Sequence, residues 1–221
     1  MPLTGVRVLD LTRVLSGPFC SALLGDMGAD VVKVEAPEGD SVRGQGAKKD
    51  GLSWYFAQFN RNKRGIVLDL RKPEAREVLA RLIARSDALV ENFRPGVLAR
   101  MGFGPERLRE LRPSLVVCSI NGFGSTGPYK DRPAFDFVAQ ALSGFMSTNG
   151  RADDPPLRTG LPISDLVAGL YAAFGIAAAV PKARETGRGQ NVEIALTDGL
   201  GSLLAYLATN YFATEIGRAH V

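Results

Sequence analysis

The chain has 221 residues, 45% hydrophobic and 8% aromatic, with 27 Lys and Arg against 23 Asp and Glu for a net charge of +4. That length and composition belong to a globular core of one large domain and exclude a disordered chain. Like charges never run to five or six in a row, so no nucleic-acid tail is marked, and the mild basic excess suits a small anionic ligand as well as a polyanion.

In chain order, VRVLDL (6–11) is a β-branched run that predicts a strand. PFCSALLGDMGA (18–29) has helical spacing with Pro18 in its first turn and Gly28 near its end, and DVVKVEA (30–36) predicts a second strand. The polar stretch 37–53, rich in Gly and Lys, reads as a lid or binding loop. RGIVLDL (64–70), a helix 73–86 opened by Pro73, and DALVENF (87–93) repeat the pattern. Short helices over 95–101 and 104–113 lead to a strand at 115–122. A helix from Leu166, a strand over 190–198 and a closing helix 199–215 follow. Such alternation predicts an α/β fold: an open, mainly parallel sheet with helices on both faces.

Ligands of open sheets bind at the carboxyl ends of strands, which directs attention to loops 12–18, 35–53, 69–73, 91–96 and 121–135. These carry or adjoin Arg13, Lys63, Arg64, Arg71, Lys72, Asn92, Arg94 and Arg100, any of which taken singly also reads as solvated surface. Cys20 and Cys118 sit in apolar stretches and are expected as reduced core residues. The uncharged run 166–180 is shorter than the roughly 20 residues a bilayer needs, so no membrane span is expected. The N-terminal sequence carries no secretory pattern, and the expected setting is cytoplasmic.

Familiar nucleotide motifs do not fit. The turn TRVLSGP has one glycine before the helix where a dinucleotide site needs G-x-G-x-x-G, although Glu35 stands where a ribose-binding acid would. The single histidine, His220, is at the far end, which disfavours His-dependent triads. The remaining nucleophile or base candidates are Asp10, Asp131, Asp136, Asp165 and Asp198. Asp165, between a Gly/Pro loop and a long apolar run, reads either as a helix N-cap or as an ionised nucleophile favoured by the helix N-terminus.

Six segments in order then carry a resemblance. They are LDLTRVLSGPFCSALLGDMGADVVKVEAP (9–37), FNRNKRGIVLDLRKPEAREVL (59–79), VENFRPGVLARMGF (90–103), SINGFGSTGPYKDRPAFD (119–136), RTGLPISDLVAG (158–169) and ETGRGQNVEIALTD (185–198). From Leu3 to about Glu215 the chain resembles the class III CoA-transferases, a family that includes formyl-CoA transferase and the 2-methylacyl-CoA racemases.

The resemblance implies a Rossmann-like large domain over 1–198 and a helix 199–215 leading toward a second, smaller domain. In the full-length fold the chain returns to the first domain and closes a ring that interlocks with a partner ring, giving a homodimer. It implies Asp165 as the catalytic aspartate and CoA contacts from Leu15, Ser16, Leu68, Asp69, Leu70, Arg71, Asn92, Phe93, Arg94, Arg100, Arg132, Pro133, Ala134 and Phe135. Where formyl-CoA transferase has a CoA-contacting arginine, this chain has Ala36, and Lys33 or Arg43 is the expected substitute.

The implied activity moves CoA from an acyl-CoA to a free carboxylic acid through aspartyl anhydride and aspartyl-CoA thioester intermediates. CoA is a co-substrate, and no metal, redox cofactor or nucleic acid is involved. Racemases of the family place a histidine before the aspartate of the segment matching RPAFD; Phe135 stands there and takes no proton, so racemase activity is the lesser alternative. A further alternative is a CoA-binding fragment without turnover. The closing IGRAHV (216–221) is expected to be foreign to the natural chain, with a natural helix end as the other reading.

Overall fold

In β1 (Arg7–Asp10), the neighbours Val8 and Leu9 are each 1% exposed, although consecutive side chains of a strand point to opposite faces. A strand apolar on both sides belongs to a sheet covered on both sides. The computed structural model, which describes residues 1–151 and 153–215, has that arrangement. The expected foreign tail, with His220, lies outside the described residues.

After β1, α1 (Ser16–Asp26) leads to β2 (Asp30–Glu35), and a 3-10 turn (Ser41–Gly44) precedes a small hairpin of β3 (Lys48–Lys49) and β4 (Leu52–Ser53). Next come α2 (Trp54–Asn60), β5 (Lys63–Val67), α3 (Pro73–Ile83) and β6 (Ala88–Glu91). The short helices α4 (Val97–Arg100) and α5 (Pro105–Leu111) precede β7 (Val116–Asn121) and α6 (Asp136–Leu142). The long helix α7 (Ile163–Thr186), β8 (Asn191–Ala195), α8 (Leu196–Ser202) and α9 (Ala205–Thr214) complete the described chain.

Six strands pair in parallel in the order β5-β2-β1-β6-β7-β8. The chain builds outward from β1 to one edge and then returns to β1's other side, so β1 and β6 flank the point where the order reverses. In such sheets the crevice at that reversal takes the ligand. Val8, Val31, Ala88, Val90, Val116 and Cys118 form one core with α1 and α7. Leu9, Val34 and Leu89 form the other with α3, α4 and α5. Cys20 and Cys118 are buried free thiols, as expected.

Several boundaries differ from the sequence expectation. The helix expected from Leu166 begins at Ile163, and the strand expected through Leu70 ends at Val67. The expected closing helix is two, because Leu203 and Leu204 turn between α8 and α9. Helices α2 and α6 fall in segments read as loop or left unassigned. Among the described helices, α7, at 24 residues, is long and apolar enough by composition to cross a bilayer, unlike the shorter run read from sequence. Its length comes from the polar ends, and half of its most apolar window is buried against the sheet, α1 and α8.

Helices α1 and α7 meet at Gly169, where an added Cβ would lie 2.7 Å from the Ser16 carbonyl oxygen. Backbone cannot move aside as a flexible side chain can. Gly169→Ala is therefore expected to cost about 1–3 kcal/mol despite alanine's better helix propensity, read as a lowered urea midpoint.

Candidate functional site

The loop joining β1 to α1 is held at three successive residues. The buried Lys33 donates from Nζ to the Thr12 carbonyl at 2.8 Å. The Asn92 side chain accepts from the Arg13 N–H at 3.0 Å and donates to its carbonyl at 2.7 Å, tying the end of β6 to the end of β1. Val14 has φ 71°, a left-handed conformation that costs a β-branched residue about 1–3 kcal/mol. Its N–H donates to both Asp40 oxygens at 3.2 Å, and Asp40 pairs with Lys33 at 3.1 Å while capping the following 3-10 turn through Val42. Charge-assisted bonds of this kind, at about 1.5–3 kcal/mol each, outweigh the strain.

Beneath the loop, Asp10 is fully buried and accepts from the Thr12 N–H (2.8 Å), the Ser21 hydroxyl (2.6 Å) and Lys63 Nζ (3.0 Å). That saturated ion pair removes Asp10 from the nucleophile candidates. Asp131 and Asp198 are exposed.

Asp165 lies in the first turn of α7, whose N-cap residue is Pro162 and which has no cap bond from its N-cap side chain. The N-cap reading of Asp165 is thereby corrected. The acceptor that a cap would supply comes instead from α6: Asp136 Oδ1 accepts from the Ser164 N–H at 2.9 Å and the Ser164 hydroxyl at 2.8 Å. Asp136 Oδ2 accepts from Gln140 Nε2 at 2.6 Å, and the buried Gln140 accepts from the Thr159 N–H at 3.0 Å. This network fixes the start of α7.

A helix N-terminus favours an anion by about 0.3–1 kcal/mol, and the sequence reading expects Asp165 to be kept charged. The surroundings reverse that. Burial, and then the nearby charge of Asp136, push the Asp165 carboxyl up to about 7, with a Ser16 hydrogen bond pulling the other way. The Tyr55 phenol on α2 is pushed up to about 12 by burial and by the charges of Asp165 and Asp40, so it stays protonated beside them.

At the carboxyl ends of β1, β2, β5 and β6 opens a cleft of about 570 Å³. It brings together Leu68, Asp69, Leu70, Arg71, Phe93 and Arg100 from the sequence-derived set, with Arg13 and Arg76. Thr12 and Arg13 line the cleft, and the pinned loop that holds them runs on to Ser16 at the start of α1, which packs on α7 at Gly169. Asp69 (2.6 Å) and Glu38 (3.3 Å) engage Arg71, whereas Arg13, Arg76 and Arg100 have no acidic partner among the described residues.

The expected substitutes at Ala36 are both committed elsewhere. Lys33 is buried against Asp40, and Arg43 forks onto Glu35 at 2.7 and 2.8 Å and stacks 3.6 Å over Phe56. The same fork occupies the place where Glu35 would hold a ribose. Arg94 is exposed and does not line the cleft. Arg132 to Phe135 stand apart from it too: Arg132 lies 4.6 Å over Tyr129, Pro133 is exposed, Ala134 packs on Gly122, and Phe135, 67% exposed, stacks on Phe137.

Sequence reasoning missed Arg76 and Tyr55 and gave Asp136 no specific role. Arg76 was legible as a basic residue in the first turn of a helix after β5, and Tyr55 only as part of an unassigned aromatic segment.

A sequence profile described as CoA-transferase family III matches residues 3–220. A succinate–glutarate CoA-transferase of Agrobacterium fabrum is 42% identical over 99% of this chain and 58% of its own length. A formyl-CoA:oxalate CoA-transferase of Streptomyces avermitilis is 50% identical over 88% of this chain and 47% of its own. The chain spans about half the length of the curated relatives it matches. A crystal structure of a CAIB/BAIF family protein from Brucella suis superposes with a TM-score of 0.94 at 40% identity, covering 98% of this chain and 59% of that one. With the profile matched nearly end to end and the parallel sheet superposed, the chain belongs to CoA-transferase family III.

Proposed function

We propose that residues 1–198 form the CoA-binding and catalytic unit of an enzyme that moves CoA from an acyl-CoA to a free carboxylic acid, with Asp165 as covalent nucleophile. The observation that carries this reading is an arginine-lined cleft at the carboxyl ends of the strands, whose pinned β1–α1 loop leads to the helix start that packs on α7 beside Asp165, a carboxyl pushed up to about 7 by burial and by Asp136. Arg13, Arg76 and Arg100 offer unpaired positive charge to the CoA phosphates, and Leu68, Leu70 and Phe93 offer apolar walls to its adenine. Asn92 serves by bracing Arg13, and Arg94 and Arg132 to Phe135 enter as contacts implied by the family resemblance.

The ionised Asp165 attacks the thioester carbonyl carbon, the C–S bond breaks, and CoA leaves as thiolate. The thiolate then attacks the aspartyl carbonyl carbon of the anhydride and expels the donor acid as its carboxylate. An acceptor carboxylate runs the two steps in reverse and leaves as the new acyl-CoA. Each step is a displacement at a carbonyl carbon and needs no metal or redox group.

By their names the curated relatives act on succinate, glutarate, formyl-CoA and oxalate, so short carboxylic acids are the class to test first. A homodimer of the full-length chain is supported by Phe174, 74% exposed on α7, and by Tyr206 and Phe212, exposed on α9.

Incubation with succinyl-CoA and hydroxylamine tests the reading. Peptide mapping is expected to find a hydroxamate at Asp165. CoA binding with no adduct at that position would instead identify a chain that binds without turnover. The adduct yield is expected to rise with pH through a midpoint near 7, because only the ionised carboxylate attacks.

A further inference from the structure

We propose that Asp40 is a positioning residue for CoA: it grips the peptide between Arg13 and Val14 and thereby holds Arg13 at the wall of the cleft. The inference rests on the reading of that cleft as the CoA site.

The Arg13 carbonyl and the Val14 N–H are the two polar groups of one planar peptide, and in a trans peptide they point to opposite sides. Each side is held from beyond a different strand. Asn92, just past β6, donates to the carbonyl at 2.7 Å, and Asp40, past the end of β2, accepts from the N–H with both oxygens at 3.2 Å. Strands β2 and β6 pair with β1 on its two sides, so the clamp spans the point where the strand order reverses. Thr12, Arg13 and Asp40 all line the cleft there.

Asp40 has no lone pair left for a ligand. It is 4% exposed, its Oδ1 also accepts from the Val42 N–H at 3.2 Å, and its Oδ2 from Lys33 Nζ at 3.1 Å. Each oxygen thus has two donors, which fills a carboxylate. Its own N–H donates to Glu35 Oε2 at 3.1 Å, and Glu35 is in turn forked by Arg43. Asp40 therefore acts through the peptide it holds and not by touching CoA.

Neutralising Lys33 does not account for this arrangement. An ion pair between two buried side chains places no demand on Val14, yet Val14 sits at φ 71°, a conformation that a β-branched residue leaves unless it is held. Such strain persists where surrounding contacts over-determine it, and it clusters at ligand sites. Release lets the peptide turn to ordinary conformations, so that Arg13 spends only a fraction of its time at the cleft wall. Apparent affinity falls by that fraction.

Calorimetric titration of CoA into the chain and its variants tests this. Asp40→Asn keeps the shape of the side chain and one acceptor oxygen, and is expected to weaken CoA binding about tenfold. In a Val14→Gly background the same substitution is expected to cost less than about threefold, because glycine takes a positive φ about as readily as a negative one and need not be held. In an Arg13→Ala background it is also expected to cost less than about threefold, since no guanidinium remains to be placed. Where Asp40→Asn does not fold, Lys33→Met with Asp40→Asn, which strands no ammonium, carries the same comparison against Lys33→Met. An undiminished cost in either background, or no cost in the wild-type background, overturns the proposal alone, because a residue that only neutralises Lys33 behaves in that way. A wild-type chain that does not bind CoA overturns the reading of the cleft and the proposal with it.

Discussion

Replacing Asp165 by asparagine is expected to abolish covalent capture of an acyl group and, in the same variant, to make the fold more stable at pH 8. The first effect follows from removing the attacking oxygen. Loss of a covalent nucleophile costs on the order of 10⁴-fold or more, and the amide of asparagine is not an alternative nucleophile at neutral pH.

The second effect follows from linkage. Asp165 titrates at about 7 in the fold, against 3.8 for an unperturbed carboxyl, because burial and the charge of Asp136 oppose its ionisation. Below the lower value both folded and unfolded chains are protonated and nothing is lost. Between the two values the unfolded chain releases its proton while the folded chain holds it, so stability falls as pH rises. Above about 7 the penalty is complete, on the order of 2–4 kcal/mol. Asparagine carries no such penalty. Melting curves at pH 5 and pH 8 are expected to show a larger gain for the variant at pH 8; a gain that does not grow with pH would contradict the buried-carboxylate account. A group that weakens the fold and, on the proposed reading, carries the reaction is the usual form of the exchange between stability and activity.

The largest loss of stability is expected from Asp10→Ala. This carboxylate has no exposed surface and joins the end of β1 to α1 through Ser21 and to β5 through Lys63. Lys63 Nζ in turn donates to the Pro18 carbonyl and to Asn60 Oδ1, each at 2.9 Å, so one ion pair holds four elements. Truncation leaves an ammonium buried without its counter-charge, which costs about 3–5 kcal/mol. A second substitution, Lys63→Met, is expected to recover part of the loss, since an apolar replacement of similar length removes the stranded charge. Urea unfolding of the single and double variants measures both terms.

The pH dependence of this pair has the opposite sign to that of Asp165. Burial raises the Asp10 carboxyl, but Lys63, Lys33 and the hydroxyls of Ser21 and Thr12 together hold it below 3.8. Its contribution is therefore present above that value and is lost as the pH falls beneath it. Acid unfolding of the wild type is expected to include this step, and Asp10→Asn to lack it.

The sheet was legible because its strands are short runs rich in β-branched residues, those of β1 and β6 buried on both faces, and α1 and α3 were legible from prolines in their first turns. Helix α2 was not, since WYFAQFN is polar only at Gln58 and Asn60 and so shows no apolar–polar period that marks a helix. Helix α6 follows a Gly- and Pro-rich segment whose turn chemistry masks the start.

Asp165 itself stands out in the sequence, as the carboxylate before a long apolar run. Its ionisation does not, because the local signal of a helix start favours the anion, while what overrides it is burial in the tertiary fold and then the charge of Asp136 from another helix. The cap of α7 was hidden for the same reason: its acceptor is 28 residues away. Lys33 carried a readable clue, a charge inside the apolar run VVKVE, which in a parallel sheet implies a buried partner; only the structure shows that partner to be Asp40 and its second bond to be the strained loop. Arg43 gave the wrong clue, since its fork onto Glu35 uses the charge that sequence offers to a phosphate.

Oxygen transfer separates a covalent route through Asp165 from direct passage of CoA between the two acids. With an acceptor acid labelled in both carboxylate oxygens with oxygen-18, the covalent route places one acceptor oxygen on Asp165 each time product acyl-CoA forms. The peptide containing Asp165 is then expected to gain label in the presence of unlabelled donor acyl-CoA, and the donor acid released in later turnovers to carry it. Transfer of CoA with no label in Asp165 would contradict the account and point to direct passage between donor and acceptor.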